Sequence, residues 1–175
     1  SADDVILADS GTIVFDANGV VAQATDENQM NQGDDVVNAG NGHNIVLGGA
    51  GNDLLTTGDG DDELLGDSGE LSYVNGVLTQ ARSDENINPG KDVIQTGNGH
   101  NRVIAGDGYD QVITGSGADD VLGDFGVLNY TVVGVATSFV SETGSGEDDL
   151  KLGEGTNRVI AGGGNDTITT GSADD

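Results

Sequence analysis

In three stretches of this chain an Asp or Asn recurs every nine residues, and two places after each stands a large aliphatic side chain. The polar positions are Asp35, Asn44, Asp53 and Asp62, then Asp92, Asn101, Asp110 and Asp119, then Asp148, Asn157, Asp166 and Asp175. The aliphatics are Val37, Val46, Leu55 and Leu64, then Ile94, Val103, Val112 and Val121, then Leu150, Val159 and Ile168, and Asp4 with Ile6 obeys the same rule. Gly-x-Gly segments such as Gly49-Ala50-Gly51-Asn52-Asp53 and Gly106-Asp107-Gly108-Tyr109-Asp110 lead into the polar positions. Nine residues divide into a tight turn, for which Gly supplies positive φ angles, and a three-residue strand with one inward aliphatic, too short to stand alone. Two such halves make one coil of a flattened parallel β-solenoid with a turn on each long edge, and stacked coils bury the aliphatics in a thin continuous core.

A larger period encloses the smaller one. Asp4, Asp62, Asp119 and Asp175 stand in equivalent segments 58, 57 and 56 residues apart. All the length change falls between the nonapeptide blocks, where Thr12 to Asp16 and Val20 to Ala24 read as strands joined at Asn18-Gly19. Glu70 to Val74 and Val77 to Ala81 repeat this around Asn75-Gly76, and the third copy keeps Gly134 but has Val133 in place of the Asn. The expected fold is therefore all-β: a right-handed parallel β-roll, or β-solenoid, interrupted by three β-hairpin insertions. In order, residues 1–9 end a preceding roll block, 10–32 form a hairpin, 33–67 a roll block, 68–89 a hairpin, 90–124 a roll block, 125–145 a hairpin and 146–175 a roll block, all in one continuous rod. Phe15, Tyr73 and Tyr130, each four residues after a recurring Gly, are expected as packing anchors of the hairpins.

Thirty-one acidic residues against 5 basic ones leave a net charge of −26. Five scattered cations build no basic face, so nucleic acid is excluded as a partner. No apolar run approaches the ~18 residues of a membrane-spanning helix, so no membrane insertion is expected. The absence of Cys excludes thiolate-held zinc and Fe–S sites. Strand pairing places equivalent positions of neighbouring coils about 4.8 Å apart, so Asp35 would sit over Asp53 and Asn44 over Asp62. At an effective dielectric near 20, two carboxylates at that distance repel by about 3.5 kcal/mol, and several such pairs exceed the stability of an ordinary domain. A cation between the turns reverses the sign. Oxygen-only ligands at a flexible multidentate site favour Ca²⁺ over Mg²⁺, and a solvated acidic face would need neither periodic Gly nor an aliphatic at fixed offset.

The pattern Gly48-Gly49-Ala50-Gly51-Asn52-Asp53-Leu54-Leu55-Thr56 resembles the RTX, or hemolysin-type, calcium-binding nonapeptide repeat. The resemblance implies a Ca²⁺-dependent β-roll in exported bacterial proteins, with several ions, each held between a turn and the turn two further on. Carried onto this chain, it pairs Asp35 with Asp53, Asn44 with Asp62, Asp92 with Asp110, Asn101 with Asp119, Asp148 with Asp166 and Asn157 with Asp175, and Asp4 occupies an equivalent place. Two departures stand out: Asn replaces Asp at 44, 101 and 157, and the turns before Asp35, Asp92 and Asp148 carry fewer Gly. Asp9, Asp67 and Asp124, in Asp-x-Gly turns where each block ends, are either additional ion ligands or Asx-turns closing the coil. Six ions would offset about 12 of the 26 excess charges, so further sites or a residual acidic surface are expected.

No catalytic constellation emerges, and acidic pairs repeated in every unit are not how one active site is built. The aligned His43 and His100 give way to Thr156 in the third copy, which points to turn side chains; Arg102 and Arg158 follow the Asn positions and offset negative charge. Ser172-Ala173-Asp174-Asp175 reproduces Ser1-Ala2-Asp3-Asp4, so further copies of the repeat, in the same chain or end to end, are the expected partners. The expected function is a calcium-dependent structural module of a large secreted or cell-surface bacterial protein, an adhesin extender or extracellular filament, exported by type I secretion. The alternative is an RTX export and folding module attached to a secreted enzyme or toxin. The Thr positions are too irregular for an ice- or carbohydrate-binding ladder.

Overall fold

The computed structural model describes residues 2–27, 33–84, 89–142 and 144–172, and every regular element in them is a β-strand. In chain order these are β1 (Val5–Leu7), β2 (Gly11–Phe15), β3 (Val21–Asp26), β4 (Val36–Gly40), β5 (Ile45–Leu47), β6 (Leu54–Thr57), β7 (Glu63–Leu65), β8 (Gly69–Val74), β9 (Val77–Ser83), β10 (Val93–Gln95), β11 (Arg102–Ile104), β12 (Gln111–Ile113), β13 (Asp120–Leu122), β14 (Gly126–Tyr130), β15 (Ala136–Ser141), β16 (Asp149–Lys151), β17 (Arg158–Ile160) and β18 (Thr167–Thr169). They form three six-stranded sheets. Sheet I is parallel, in the order β1-β5-β7-β11-β13-β17; sheet II is parallel, β4-β6-β10-β12-β16-β18; sheet III is antiparallel, β2-β3-β8-β9-β14-β15.

The nine-residue register explains sheets I and II directly. In sheet I, Ile6, Val46, Leu64, Val103, Val121 and Val159 stand side by side across successive strands. In sheet II the same row is Val37, Leu55, Ile94, Val112, Leu150 and Ile168. The two rows face each other and make one core, so each coil is two strands of three to five residues with a turn on either edge. This arrangement is that of a β-roll. Between coils, glycine is required by contact. At Gly99, φ is 136° and an added Cβ would lie 2.0 Å from the carbonyl oxygen of Gly60 in the neighbouring coil.

A side chain on either side of the inward one points outward, and here the two sheets differ. The outward residues of sheet I include Ile45, Leu47, Leu65, Ile104 and Leu122, all buried beneath sheet III. Sheet III meets them with Ala24, Leu71, Tyr73, Leu78, Ala81, Leu128 and Tyr130. The antiparallel pairs β2–β3, β8–β9 and β14–β15 do not stand apart: β3 pairs with β8 and β9 with β14, joining three pairs into one sheet. Each pair carries a register shift just before its aromatic residue, at Val14/Phe15, Ser72/Tyr73 and Asn129/Tyr130. Tyr73 and Tyr130 are buried, but Phe15 is 56% exposed, contrary to its expected role as an anchor. The reason is position, since β2 is the edge strand of sheet III.

Under sheet III runs a row of alternating charge on the first residues of the sheet I strands. Arg102 is paired across the strands with Glu63 and Asp120, and Asp120 with Arg158. The Arg102 guanidinium donates to Glu63 Oε1 at 2.8 Å, and Arg158 donates to both oxygens of Asp120. Tyr130 Oη donates to Asp120 Oδ2 at 2.9 Å. The two arginines thus neutralise buried carboxylates. His43 pairs with Glu63, which raises its pKa, and His100 pairs with Asp120, so both histidines belong to this row.

Candidate metal sites along the two edges

The turns from sheet I to sheet II form edge one, and those from sheet II to sheet I form edge two. On edge one the ladder residues lie in a continuous column. The backbone N–H of Asp35 donates to Asp53 Oδ1, Asp53 to Asp92, Asp92 to Asp110, Asp110 to Asp148 and Asp148 to Asp166, at 2.8, 2.9, 2.8, 3.0 and 3.0 Å. Edge two carries the matching column, in which Asp4 N–H donates to Asn44 Oδ1, Asn44 to Asp62, Asp62 to Asn101, Asn101 to Asp119 and Asp119 to Asn157, at 3.3, 2.8, 3.3, 2.9 and 3.0 Å. The eighteen-residue pairs read from the sequence are therefore brought together, apart from Asn157 with Asp175, because Asp175 lies outside the described residues.

Further neighbours escaped the sequence reading: Asp53 with Asp92, Asp110 with Asp148, Asp62 with Asn101, Asp119 with Asn157 and Asp4 with Asn44. Those are separated by 38 to 40 residues, since an antiparallel pair of sheet III lies between them in the chain. The signal was available, because the inward aliphatics Leu55 and Ile94 have the same offset as Asp53 and Asp92.

In Asp53, Asp62, Asp110, Asp119 and Asp148 one oxygen is thus satisfied by a backbone donor, and the other is not. Oδ2 of Asp53, Asp62, Asp110, Asp119 and Asp148 is buried with no hydrogen-bond partner. A buried carboxylate oxygen left in this way costs several kcal/mol unless it is protonated or meets a cation. Burial pushes Asp92 up to about 9 and Asp110 to about 8, with neighbouring Asp charges adding to it, and burial holds Asp53 and Asp148 at about 6. Among the described residues no three acidic or histidine side chains converge into a ready-made metal cluster. An ion held here must complete its shell from backbone carbonyls of the Gly turns. Carboxylate and carbonyl oxygens without nitrogen or sulfur are a set suited to Ca²⁺, which takes about 6–8 oxygens in flexible geometry, so the residues fit that ion.

Asp9, Asp67 and Asp124 do something the sequence reading did not foresee. Asp9 Oδ2 accepts from the N–H of Ala50, Asp67 Oδ2 from Asp107 and Asp124 Oδ2 from Gly163, each about forty residues away. They reach as caps onto the edge-one turn of the adjoining coil. Their charges bear on the ladder: Asp67 raises Asp92 and Asp110, and Asp124 raises Asp148. A second, exposed polar column also escaped the sequence reading. Asp59 N–H donates to Asn41, Asn98 N–H to Asp59 and Ser116 N–H to Asn98, three residues before the ladder on edge two.

The model of the RTX calcium-binding nonapeptide repeat matches four times, over residues 31–46, 38–70, 88–127 and 142–175, which is well over half of the chain. The chain belongs to this family. RTX nonapeptide repeats bind Ca²⁺ between turns, and Ca²⁺ is accordingly the ion of this roll; the family's repeats are structural calcium-binding units rather than catalytic ones. No curated protein and no solved structure matches the chain.

Proposed function

We propose that this RTX chain is a calcium-dependent structural module, a rod segment of a large secreted or cell-surface bacterial protein of the adhesin-extender or extracellular-filament kind. The observation that carries this reading is the row of buried, unpartnered Oδ2 atoms on both edges of the roll. Asp35, Asp53, Asp92, Asp110, Asp148 and Asp166 would hold ions on edge one, with Asp9, Asp67 and Asp124 beside them; Asp4, Asn44, Asp62, Asn101, Asp119 and Asn157 line edge two. Bound Ca²⁺ supplies positive charge between turns that would otherwise repel. In a calcium-poor cytosol the carboxylates keep the coils apart, and after type I export the coils stack, so that folding follows secretion. The parallel crossovers wind right-handed, as such connections nearly always do. The described residues of 33–67, 90–124 and 146–175 form the roll, and those of 10–32, 68–89 and 125–145 are hairpin insertions laid over one face. Further copies of the repeat continue the stack.

A circular-dichroism titration with Ca²⁺ tests this reading. The expected result is a chain of low β content in chelator that gains the β spectrum on adding Ca²⁺. A spectrum already β-rich in chelator at neutral pH, and unchanged by the ion, overturns it.

A further inference from the structure

The Asn and Asp members of the edge-two column use their δ1 atoms in the same way and their δ2 atoms in opposite ways. At δ1, both accept a backbone N–H from the adjoining coil: Asn101 Oδ1 from Asp62, Asn157 Oδ1 from Asp119, Asp62 Oδ1 from Asn44 and Asp119 Oδ1 from Asn101. At δ2, the Asp oxygens of 62 and 119 are buried without a partner. The Asn nitrogens donate instead. Asn44 Nδ2 donates to the carbonyls of Gly40 and Gly42 in its own turn, at 3.1 and 3.2 Å, and to Asp62 Oδ1 at 3.0 Å. Asn101 Nδ2 repeats this with Gly97, Gly99 and Asp119 Oδ1, at 3.1, 3.5 and 3.1 Å, and Asn157 Nδ2 donates to Gly153 at 2.9 Å.

Two turn carbonyls and a carboxylate from the next coil form an oxygen set that wants positive charge. At an Asn-led turn, two N–H donors already point into it. We propose that Asn44, Asn101 and Asn157 make their turns independent of calcium, the side-chain amide standing where an Asp-led turn requires an ion. The inference rests on the calcium reading of the Asp-led turns and narrows it. Edge one, with Asp at every described ladder position, carries the calcium demand; edge two alternates between amide-closed turns and the ion-demanding turns of Asp62 and Asp119. Neighbours on edge two also avoid the carboxylate-on-carboxylate repulsion found along edge one, because every described Asp there stands next to an Asn.

The test counts ions. Calcium stoichiometry is measured by isothermal titration on the parent chain, on the triple variant Asn44→Asp, Asn101→Asp, Asn157→Asp, and on the double variant Asp62→Asn, Asp119→Asn, with far-UV circular dichroism on the same samples. The triple variant is expected to take up about three more ions per chain, one for each amide replaced by an orphan oxygen. The double variant is expected to take up about two fewer while reaching the parent spectrum at lower free Ca²⁺. Equal stoichiometry in the parent and a folded triple variant overturns the inference and leaves the function intact. If the triple variant does not fold, the double variant decides, and retention of the parent's full count overturns the inference. A parent chain that binds no Ca²⁺ overturns the calcium reading itself.

Discussion

Without calcium this roll should be stabilised by acid, the reverse of ordinary acid denaturation. Asp53, Asp92, Asp110 and Asp148 are at most 2% exposed, and their pKa values in the fold are about 6, 9, 8 and 6 against 3.8 in the open chain. A raised carboxylate pKa means the folded state holds more protons than the unfolded one. Its favourable contribution is complete below about pH 4, is lost through about pH 6 for Asp53 and Asp148, and continues to be lost towards about pH 8–9 for Asp110 and Asp92. At pH 7 the gap amounts to about 3 kcal/mol each for Asp53 and Asp148 and about 4 kcal/mol each for Asp92 and Asp110, together on the order of 14 kcal/mol. Halving that for water reaching the turns from the rim leaves about 7 kcal/mol, comparable with the whole stability of a domain. Asp16, Asp34 and Asp149 titrate in the opposite direction but are exposed, so solvent screens them.

The assay is guanidinium unfolding of calcium-stripped protein, followed by circular dichroism between about pH 4 and about pH 8. The midpoint is expected to be highest near pH 4 and to fall until the chain is open near neutrality, where added Ca²⁺ restores it. A midpoint that is flat, or that rises from pH 4 to pH 7, refutes the claim that burial disfavours the charged form of these four carboxylates.

Three further outcomes follow from the packing. Gly99→Ala forces a Cβ to within 2.0 Å of the Gly60 carbonyl at φ 136°, so it should cost on the order of 3 kcal/mol and raise the Ca²⁺ concentration at half-folding; unchanged unfolding and titration curves would contradict the coil spacing. Asp120→Ala strips Arg158 and Tyr130 of a fully buried partner and should cost about 3–5 kcal/mol in denaturant at saturating Ca²⁺, whereas a loss below 1 kcal/mol would place the pair in solvent. Leu128→Ala empties a site between sheets I and III and should cost about 2–5 kcal/mol without altering the number of ions bound, a combination read by pairing chemical unfolding with titration calorimetry.

The ladder was legible because its register is enforced twice in every nine residues. Asp53 must meet the coil edge and Leu55 the core, so a shift of one residue would turn the aliphatic outward and carry the carboxylate off the edge column. Which parallel sheet is covered was also written in the sequence. Ile45-Val46-Leu47 is apolar throughout, as a strand buried on both faces should be, while Asp149-Leu150-Lys151 alternates, as a strand with one wet face should. By contrast, nothing local to Thr25 or Glu70 says that these residues face each other across two antiparallel pairs. Lateral registry between segments nearly one long repeat apart depends on how the roll spaces them.

That lateral registry divides the labour within the fold. The roll core is one thin row of aliphatics per sheet, and the edges that bound it are built from like charges. Sheet III adds a second core that contains no ladder carboxylate and ties one unit to the next through β3–β8 and β9–β14. Those pairings use backbone hydrogen bonds, apolar side chains and polar contacts such as Gln80 Nε2 donating to Asn129 Oδ1 at 2.9 Å, none of which calls for an ion. The carboxylate edges then decide only whether the coils close. In such an arrangement, loss of calcium should open the turns before it scrambles the order of units, and chain opened by a chelator should find the same register when the ion returns. A rod of the kind proposed above needs both properties. The ladder provides the switch, and the antiparallel sheet, which the nine-residue period does not describe, preserves the order of stacking.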